Sequence, residues 1–288
     1  MSRTNPSVAP FFANLAAIAT PFGTTVAPGA RVAAYVRATP KSDDPDFVRE
    51  NRVASINEGL KRCREGMNDI VYVLPGHTET HSSSGDIWPD KKAGSVVVGL
   101  GRPGSTNAPR VTLSHTGASM ALDVDDLVVT GLDIRSATAA VTGAVVVTGD
   151  GCVIEGCKIA LTGALGANPA IAVTGAADFR LAHNHIVANS TDPIVEITGA
   201  TTTDMEIVYN FLRQAQGTSG GAGISVASTA GISGLIAHNV LKTATGTAAG
   251  GILTVGANAA PTVGVFQNFA GDNAAGSGAL EPAVMTLA

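Results

Sequence analysis

An asparagine that returns at near-constant intervals in the second half of the chain constrains the fold more than any other feature. Consecutive members of this column are 25 to 29 residues apart, and each stands at a corner between two short strand-forming stretches. A repeat of this length, with strand formers inside each unit and Gly, Asn or Thr at its corners, is typical of the stacked coils of a parallel β-helix. The column comprises Leu132, Cys157, Asn184, Asn210, Asn239 and Asn268.

A second column of aliphatic residues repeats in step with the first, at intervals of 23 to 29 residues. It comprises Val124, Val147, Val173, Ile197, Val226 and Val255. Asparagine tolerates the left-handed backbone conformation of a tight corner, and its amide can bond to the next asparagine of a stack. We therefore expect an asparagine ladder along one corner, although asparagine is also simply common in turns. The members of this asparagine ladder are Asn184, Asn210, Asn239 and Asn268.

The composition fits a narrow stack of coils with a neutral exterior. Of the 288 residues 45% are hydrophobic but only 4% are aromatic, so the core is predicted to consist of Val, Ile, Leu and Ala. Charged residues make up 14% of the chain, against about 25% in typical domains. A surface so poor in charge favours packing against further copies of the chain or a larger assembly, although a Thr- and Ala-rich surface in solvent is the alternative.

The charge balance and the apolar segments exclude several classes of partner. A net charge of −5 without a long basic run argues against nucleic-acid binding. No stretch approaches the roughly 18 apolar residues of a membrane span. The segment from Val8 to Ala19 resembles the core of a signal peptide, but it contains Pro10 and Asn14 and lacks a cleavage site, so secretion is the less favoured interpretation. The cysteines are expected to be buried small hydrophobes and not disulfide or zinc ligands; they are Cys63, Cys152 and Cys157.

Three segments are expected along the chain. Residues 1–40 contain several prolines and no period, which predicts an extended arm that contacts a partner. Residues 41–67 predict an amphipathic helix that begins near Asp44 and ends at Gly66, and that covers the open end of the stack. Residues 68–288 predict the β-helix itself. Within it, residues 77–94 are expected to form a long decorated loop that carries Trp88, the single tryptophan.

Two neighbouring strings resemble a known family. VYVLPGHTETH, followed by VVVGLGRPGSTNAPRVTLSHTG, is similar to right-handed β-helix proteins encoded among the structural genes of tailed bacteriophages. The matching motifs are Val73–Thr80 and Gly99–Arg110, and the second contains a loop that is enlarged in this chain. The resemblance covers about residues 57–135.

That resemblance implies a right-handed helix and a structural role in the virion. Some members of the family are similar to trimeric head-decoration, or cement, proteins. The implied partners are further copies of the chain and the major capsid protein, with no cofactor. The implied location is the capsid surface, after synthesis in the cytoplasm of the bacterial host.

The sharpest candidate for a metal site lies in the string GHTETH. In an extended segment His77, Glu79 and His81 project to the same side. Two imidazoles and one carboxylate are ligands that zinc or another divalent metal accepts. The favoured interpretation is a locally hydrogen-bonded corner that shapes the first coil, so no metal site is assigned.

A cluster of acids gives the candidate for glycan chemistry. Asp123, Asp125 and Asp126, with Asp133 and Arg135 nearby, contain the residue types that polysaccharide lyases and hydrolases use. Aspartate is also an ordinary turn residue, and no companion motif follows in the later coils. Catalytic residues are therefore not assigned.

The favoured hypothesis is a non-enzymatic virion protein. The alternatives are a glycan-binding or glycan-cleaving phage tail protein resembling pectate lyases and, third, a secreted adhesin. Outward aromatic and acidic residues along one groove would favour the glycan alternative. The histidines beside the ladder are expected to decorate the corner without acting as general bases; they are His183, His185 and His238.

Overall fold

The computed structural model describes residues 30–42, 44–136, 144–161, 169–189, 193–199, 201–214, 223–227, 231–243, 253–255, 262–272, 281–282 and 285–287. Residues 1–29 of the predicted arm lie outside this part of the chain. Two short helices and a long series of short strands follow from residue 32 onward.

The elements in chain order are β1 (Val32–Val36), α1 (Asp46–Glu50), β2 (Arg52–Val53), α2 (Ile56–Lys61), β3 (Ile70–Val73), β4 (Thr78–His81), β5 (Gly85–Asp86), β6 (Val96–Gly99), β7 (Arg110–Leu113), β8 (Ala118–Leu122), β9 (Val128–Thr130), β10 (Asp133–Ser136), β11 (Val145–Val147), β12 (Val153–Glu155) and β13 (Lys158–Leu161). They continue with β14 (Ile171–Thr174), β15 (Arg180–Ala182), β16 (His185–Ala188), β17 (Val195–Thr198), β18 (Met205–Val208), β19 (Phe211–Gln214), β20 (Ile224–Val226), β21 (Gly234–Ala237), β22 (Val240–Thr243), β23 (Leu253–Val255), β24 (Val263–Phe266), β25 (Phe269–Asp272), β26 (Glu281–Pro282) and β27 (Met285–Leu287).

The strands wind into a parallel β-helix with three sheets, as the repeats predict. Sheet 1 has the order β2-β1-β3-β6-β9-β12-β15-β18-β21-β24, and sheet 2 the order β26-β25-β22-β19-β16-β13-β10-β7-β4. Sheet 3 has the order β27-β23-β20-β17-β14-β11-β8-β5. Each strand therefore pairs with the strand one coil away, about 4.8 Å along the axis. The antiparallel pair β25–β26 is an exception at the C-terminal end.

Alternation along each strand places aliphatic residues inside and small or polar residues outside. In β13, Ile159 and Leu161 are fully buried while Lys158 and Ala160 face outward. The second column is in register from Val147 onward, through Val173, Ile197, Val226 and Val255. Its first predicted member is wrong, because Leu122 and not Val124 lies opposite Val147. Strand β8 ends at Leu122, so Val124 already belongs to the following corner.

The asparagine ladder is present and buried. Asn184 Oδ1 accepts the Cys157 N–H at 2.9 Å, and Asn210 Oδ1 accepts the Asn184 N–H at 3.0 Å. The same bond recurs from Asn210 N–H to Asn239 Oδ1 at 2.9 Å, and from Asn239 N–H to Asn268 Oδ1 at 3.0 Å. Each side-chain amide also donates to a carbonyl of the coil below. The ladder thus supplies the backbone partners that a corner lacks.

The left-handed residue at each corner precedes the asparagine. His183, Tyr209, His238 and Gln267 have φ of 56°, 57°, 57° and 46°. This conformation turns the chain so that the next residue, the asparagine, points inward toward the neighbouring coil. The expectation that the asparagine itself adopts the left-handed conformation is therefore wrong, although the corner and its ladder are as predicted.

The N-terminal cap differs from the single helix expected over residues 41–67. Two helices, α1 and α2, are separated by β2, which pairs with β1 because Tyr35 and Arg52 lie in register. Ser55 caps α2 by accepting the Glu58 N–H at 3.2 Å, which gives the second helix its own start. Ile56 and Leu60 of α2 are fully buried over the end of the stack, so the covering role is fulfilled by the second helix.

Two other boundaries also change. Strand β1 lies within the predicted arm but pairs with β3, so the β-helix begins near residue 32 instead of 68. The stretch 77–94 is not a decorated loop, because it contains β4 and β5 of the first coil and its Trp88 is fully buried. Lys91 holds this stretch together by binding Asp86 and Asp123, the latter at 2.7 Å.

Candidate functional site

The GHTETH motif forms a buried junction between the cap and the first coil. The Ala38 N–H donates to His77 Nδ1 at 3.2 Å, and the Ile56 N–H at the start of α2 donates to Glu79 Oε1 at 2.5 Å. Glu79 lies between two imidazoles, 3.4 Å from His77 Nε2 and 3.6 Å from His81 Nε2. Burial by itself raises the pKa of Glu79, but the two imidazoles and the Ile56 N–H outweigh burial and lower the pKa to about 2.

The three side chains of the motif contact one another and the cap. His77 Nδ1 accepts the Ala38 N–H, and the other ring nitrogen, Nε2, faces Glu79 Oε1. Within the described residues, no group of three or more His, Cys, Asp or Glu side chains is arranged to hold a metal ion. His77, Glu79 and His81 do come together as the sequence predicts, and their contacts attach the cap to the stack.

The acids considered for glycan chemistry form ion pairs or hydrogen bonds within the β-helix. Asp133 is fully buried and accepts two bonds from Arg135, at 2.9 and 2.7 Å. Asp123 binds Lys91, and Asp125 Oδ1 accepts the Asp150 N–H at 3.1 Å. These contacts close turns and neutralise buried charge, and none brings two carboxylates together across an open groove.

A stack of exposed rings stands at the ladder corner. His183 and Tyr209 are parallel, with centroids 5.0 Å apart and 2° between their planes. Tyr209 and His238 continue the stack at 4.8 Å and 3°. Because each left-handed residue points outward, successive coils place their rings face to face at the coil spacing. Tyr209 is 52% exposed even so.

A second row of rings runs beside the stack on sheet 2. It occupies the position after each asparagine, where His185, Phe211, Val240 and Phe269 are in register. His185 and Phe211 meet edge to face at 5.0 Å. Phe266 is 60% exposed and Phe269 is 43% exposed. Phe266 belongs to neither row, since it ends β24 of sheet 1 and comes one residue before the corner residue Gln267. We call the rings of the two rows, together with Phe266, the aromatic ridge: His183, His185, Tyr209, Phe211, His238, Phe266 and Phe269.

Sequence reasoning did not recognise the ridge as a site. Its three histidines were interpreted together as decoration of the corner, and the rings that meet on neighbouring coils, such as His183 and Tyr209 or Tyr209 and His238, are 26 to 29 positions apart in the chain. The available signal was the repeat itself, because residues that flank the same ladder position must share a corner. An alignment of the coils on the asparagine ladder would have predicted that these rings lie at one corner.

A basic recess lies at the other end, on the cap. Its volume is about 560 Å³, and its charged lining residues are Arg37, Arg52, Glu58, Lys61 and Arg62. Arg37 is bound by Asp44. Of the cations that line the recess, Arg37 is neutralised by Asp44, whereas Arg52, Lys61 and Arg62 form no ion pair with a described residue.

The three cysteines are buried and free, as predicted. Burial raises the pKa of Cys63 to about 11 and the pKa values of Cys152 and Cys157 to about 12. A thiol with so high a pKa carries little thiolate at neutral pH and is a poor nucleophile.

Comparison of the chain with protein-family models, curated proteins and solved structures gave no match. In the part of the chain that the structure describes, no helix has the length and apolar character needed to cross a membrane.

Proposed function

We propose that this protein is a structural component of a tailed-phage virion: a homotrimer that binds the outside of the capsid and stabilises it. The observation that carries the proposal is the aromatic ridge. It gathers exposed rings at one corner of a chain that has few aromatic residues. Clustered exposed aromatics on a charge-poor body are characteristic of a protein–protein contact surface.

Two further observations support a mechanical role. Coils that pair on both sides, with a buried amide ladder through one corner, resist local opening because each coil depends on its neighbours. The motif that resembles phage β-helix proteins contains His77 and Glu79, which attach the cap to the first coil. The resemblance therefore involves residues that the fold needs.

Co-sedimentation tests the proposal. Purified protein is mixed with assembled capsids of the phage that encodes it and centrifuged, with capsid-free protein as the control. Binding that saturates at a fixed number of copies per capsid is expected, together with a solution mass of about three times 28.8 kDa by light scattering. A stable monomer that stays in the supernatant would contradict both parts.

A second candidate is glycan binding on a tail protein, which the same ridge favours because exposed rings also bind sugars. The geometry gives it less support. Sugars and bases stack on free ring faces, and both faces of Tyr209 are covered by His183 and His238. Acids that could take part in glycan cleavage, such as Asp133, already form ion pairs within the chain. A glycan array that retains the protein, with loss of binding in Phe211→Ala, would favour this candidate.

A further inference from the structure

The outer face of sheet 2 carries a concentration of positive charge that opposes the charge of the whole chain. Seven Lys and Arg residues follow residue 100, in a protein of net charge −5. Five of the seven project from consecutive or near-consecutive strands of this sheet. They are Arg110, Arg135, Lys158, Arg213 and Lys242.

Acids are scarce on the same face. Where the structure describes the side chains of sheet 2 beyond residue 100, Asp133 is the acid on its outward side, and it is fully buried between Arg135 and Arg110. Within the described residues, Lys158, Arg213 and Lys242 form no ion pair. On sheet 1, by contrast, Arg180 is bound by Glu155 at 3.2 Å and by Glu206 at 3.1 Å.

The uncompensated cations are placed where they repel each other. Arg213 and Lys242 are directly in register on neighbouring strands, and like charges directly opposite each other in a sheet are destabilising. Lys158 and Arg213 flank His185, and burial together with these two cations lowers the pKa of His185. The imidazole is thus neutral at pH 7 and adds no further repulsion, and no described acid forms an ion pair with any of the three cations.

We infer that the cations of sheet 2 and the adjoining aromatic ridge form one docking surface for an acidic protein surface. Rings and arginine are the residue types enriched at the centres of protein interfaces. The outward ring edges carry partial positive charge, so they favour carboxylates in the same way as the cations do. A second copy of this face is a poor occupant, since it would bring like charges together.

The ring stack favours an acidic protein as the partner over a polyanion such as single-stranded nucleic acid. Single-stranded nucleic acid binds through bases that stack on free aromatic faces, and the faces of Tyr209 are covered. Under the proposed function, the acidic partner is the exterior of the capsid. This step depends on the proposed function, whereas the charge preference of the surface does not.

Two matched triple variants test the inference. The face variant combines Lys158→Glu, Arg213→Glu and Lys242→Glu, all outward side chains. The cap variant combines Arg49→Glu, Lys61→Glu and Arg62→Glu, and so makes the same change in net charge on another surface. Both are compared with the unchanged chain for binding to assembled capsids of the encoding phage, to poly-L-glutamate, to polygalacturonate and to a single-stranded oligothymidylate.

The face variant is expected to bind capsids and poly-L-glutamate at least about tenfold more weakly, while the cap variant stays within about twofold. Binding by the unchanged chain should weaken as salt increases, because screening acts on exposed charges. Circular dichroism confirms that each variant is folded.

The possible failures are distinguishable. Capsid binding that the face variant retains overturns the inference and leaves the proposed function standing. Binding to poly-L-glutamate through this face without capsid binding preserves the acidic-protein surface and rejects the capsid as its partner. Tighter binding of polygalacturonate or oligothymidylate than of poly-L-glutamate, lost in the face variant, overturns the choice of a protein partner.

Discussion

Replacement of Asn210 by leucine tests the ladder at its centre. Asn210 Oδ1 accepts both the backbone N–H and the side-chain amide of Asn184, each at 3.0 Å. Its own amide donates to Leu181 O at 2.8 Å and to Asn239 Oδ1 at 3.0 Å. Leucine has a similar size but can make none of these four bonds, so the change removes hydrogen bonding with little change in volume.

The expected loss in the free energy of unfolding comes from the groups that lose a hydrogen bond to Asn210. The buried Asn184 N–H loses its acceptor, which costs about 1–3 kcal/mol, and the other three groups lose bonds worth about 0.5–1.5 kcal/mol each. Because those three groups keep other partners, we expect about 2–5 kcal/mol in total. For a chain of this size each kcal/mol lowers Tm by roughly 2 °C, which gives a fall on the order of 4–10 °C.

Thermal unfolding followed by circular dichroism measures this fall. Asn107→Leu is the matched control, since Asn107 is exposed and outside the ladder. The control should change Tm by less than about 1 °C, as surface substitutions usually do. A Tm of Asn210→Leu within the range of the control would refute the conclusion that the buried amides stabilise the stack.

Further predictions concern the cap, the core and the arm. Glu79 and Asp69 both have pKa values lowered to about 2, so their stabilisation is complete above about pH 4.5 and is lost as pH falls toward 2. Hydrogen exchange should show the cap opening in acid before the coils, and Glu79→Gln should weaken that pH dependence and leave the part that Asp69 contributes. Trp88→Ala should cost about 3–5 kcal/mol by chemical denaturation, since the ring is fully buried. Truncation of residues 2–29 should leave the β-helix folded but weaken capsid binding, whereas truncation through residue 38 should also destabilise the first coil, because it removes Val32–Val36. Capsid binding by the shorter truncation equal to that of the full chain, or equal stability of the two truncations, would contradict this.

The parts of the fold that follow from periodicity could be predicted from sequence. The intervals between Asn184, Asn210, Asn239 and Asn268 identify the coils because stacked strands must repeat in register. The predicted helix fails over residues 41–67 because the apolar spacing of Ile56 and Leu60 was extended back across Val53. That valine is buried in a strand, where pairing between strands determines its position.

Long-range pairing also explains what was missed at the candidate site. The cations of sheet 2 are separated by 23 to 55 positions in sequence, so no basic run reveals them. Trp88 was placed in a long loop over residues 77–94, yet that stretch supplies the third side of the first coil. In both cases the register of the sheets determines which side chains lie together. That register depends on contacts between coils, which local sequence patterns do not encode.

A cryo-electron microscopy reconstruction of the encoding phage's virion would show where the protein binds and which face it turns toward the shell. We expect threefold-symmetric density for this protein on the outside of the head, with sheet 2 and the aromatic ridge facing the shell. We also expect acidic shell residues opposite Lys158, Arg213 and Lys242. Density for this protein on the tail, or on the head with sheet 2 facing solvent, would refute the proposed docking of this face on the capsid.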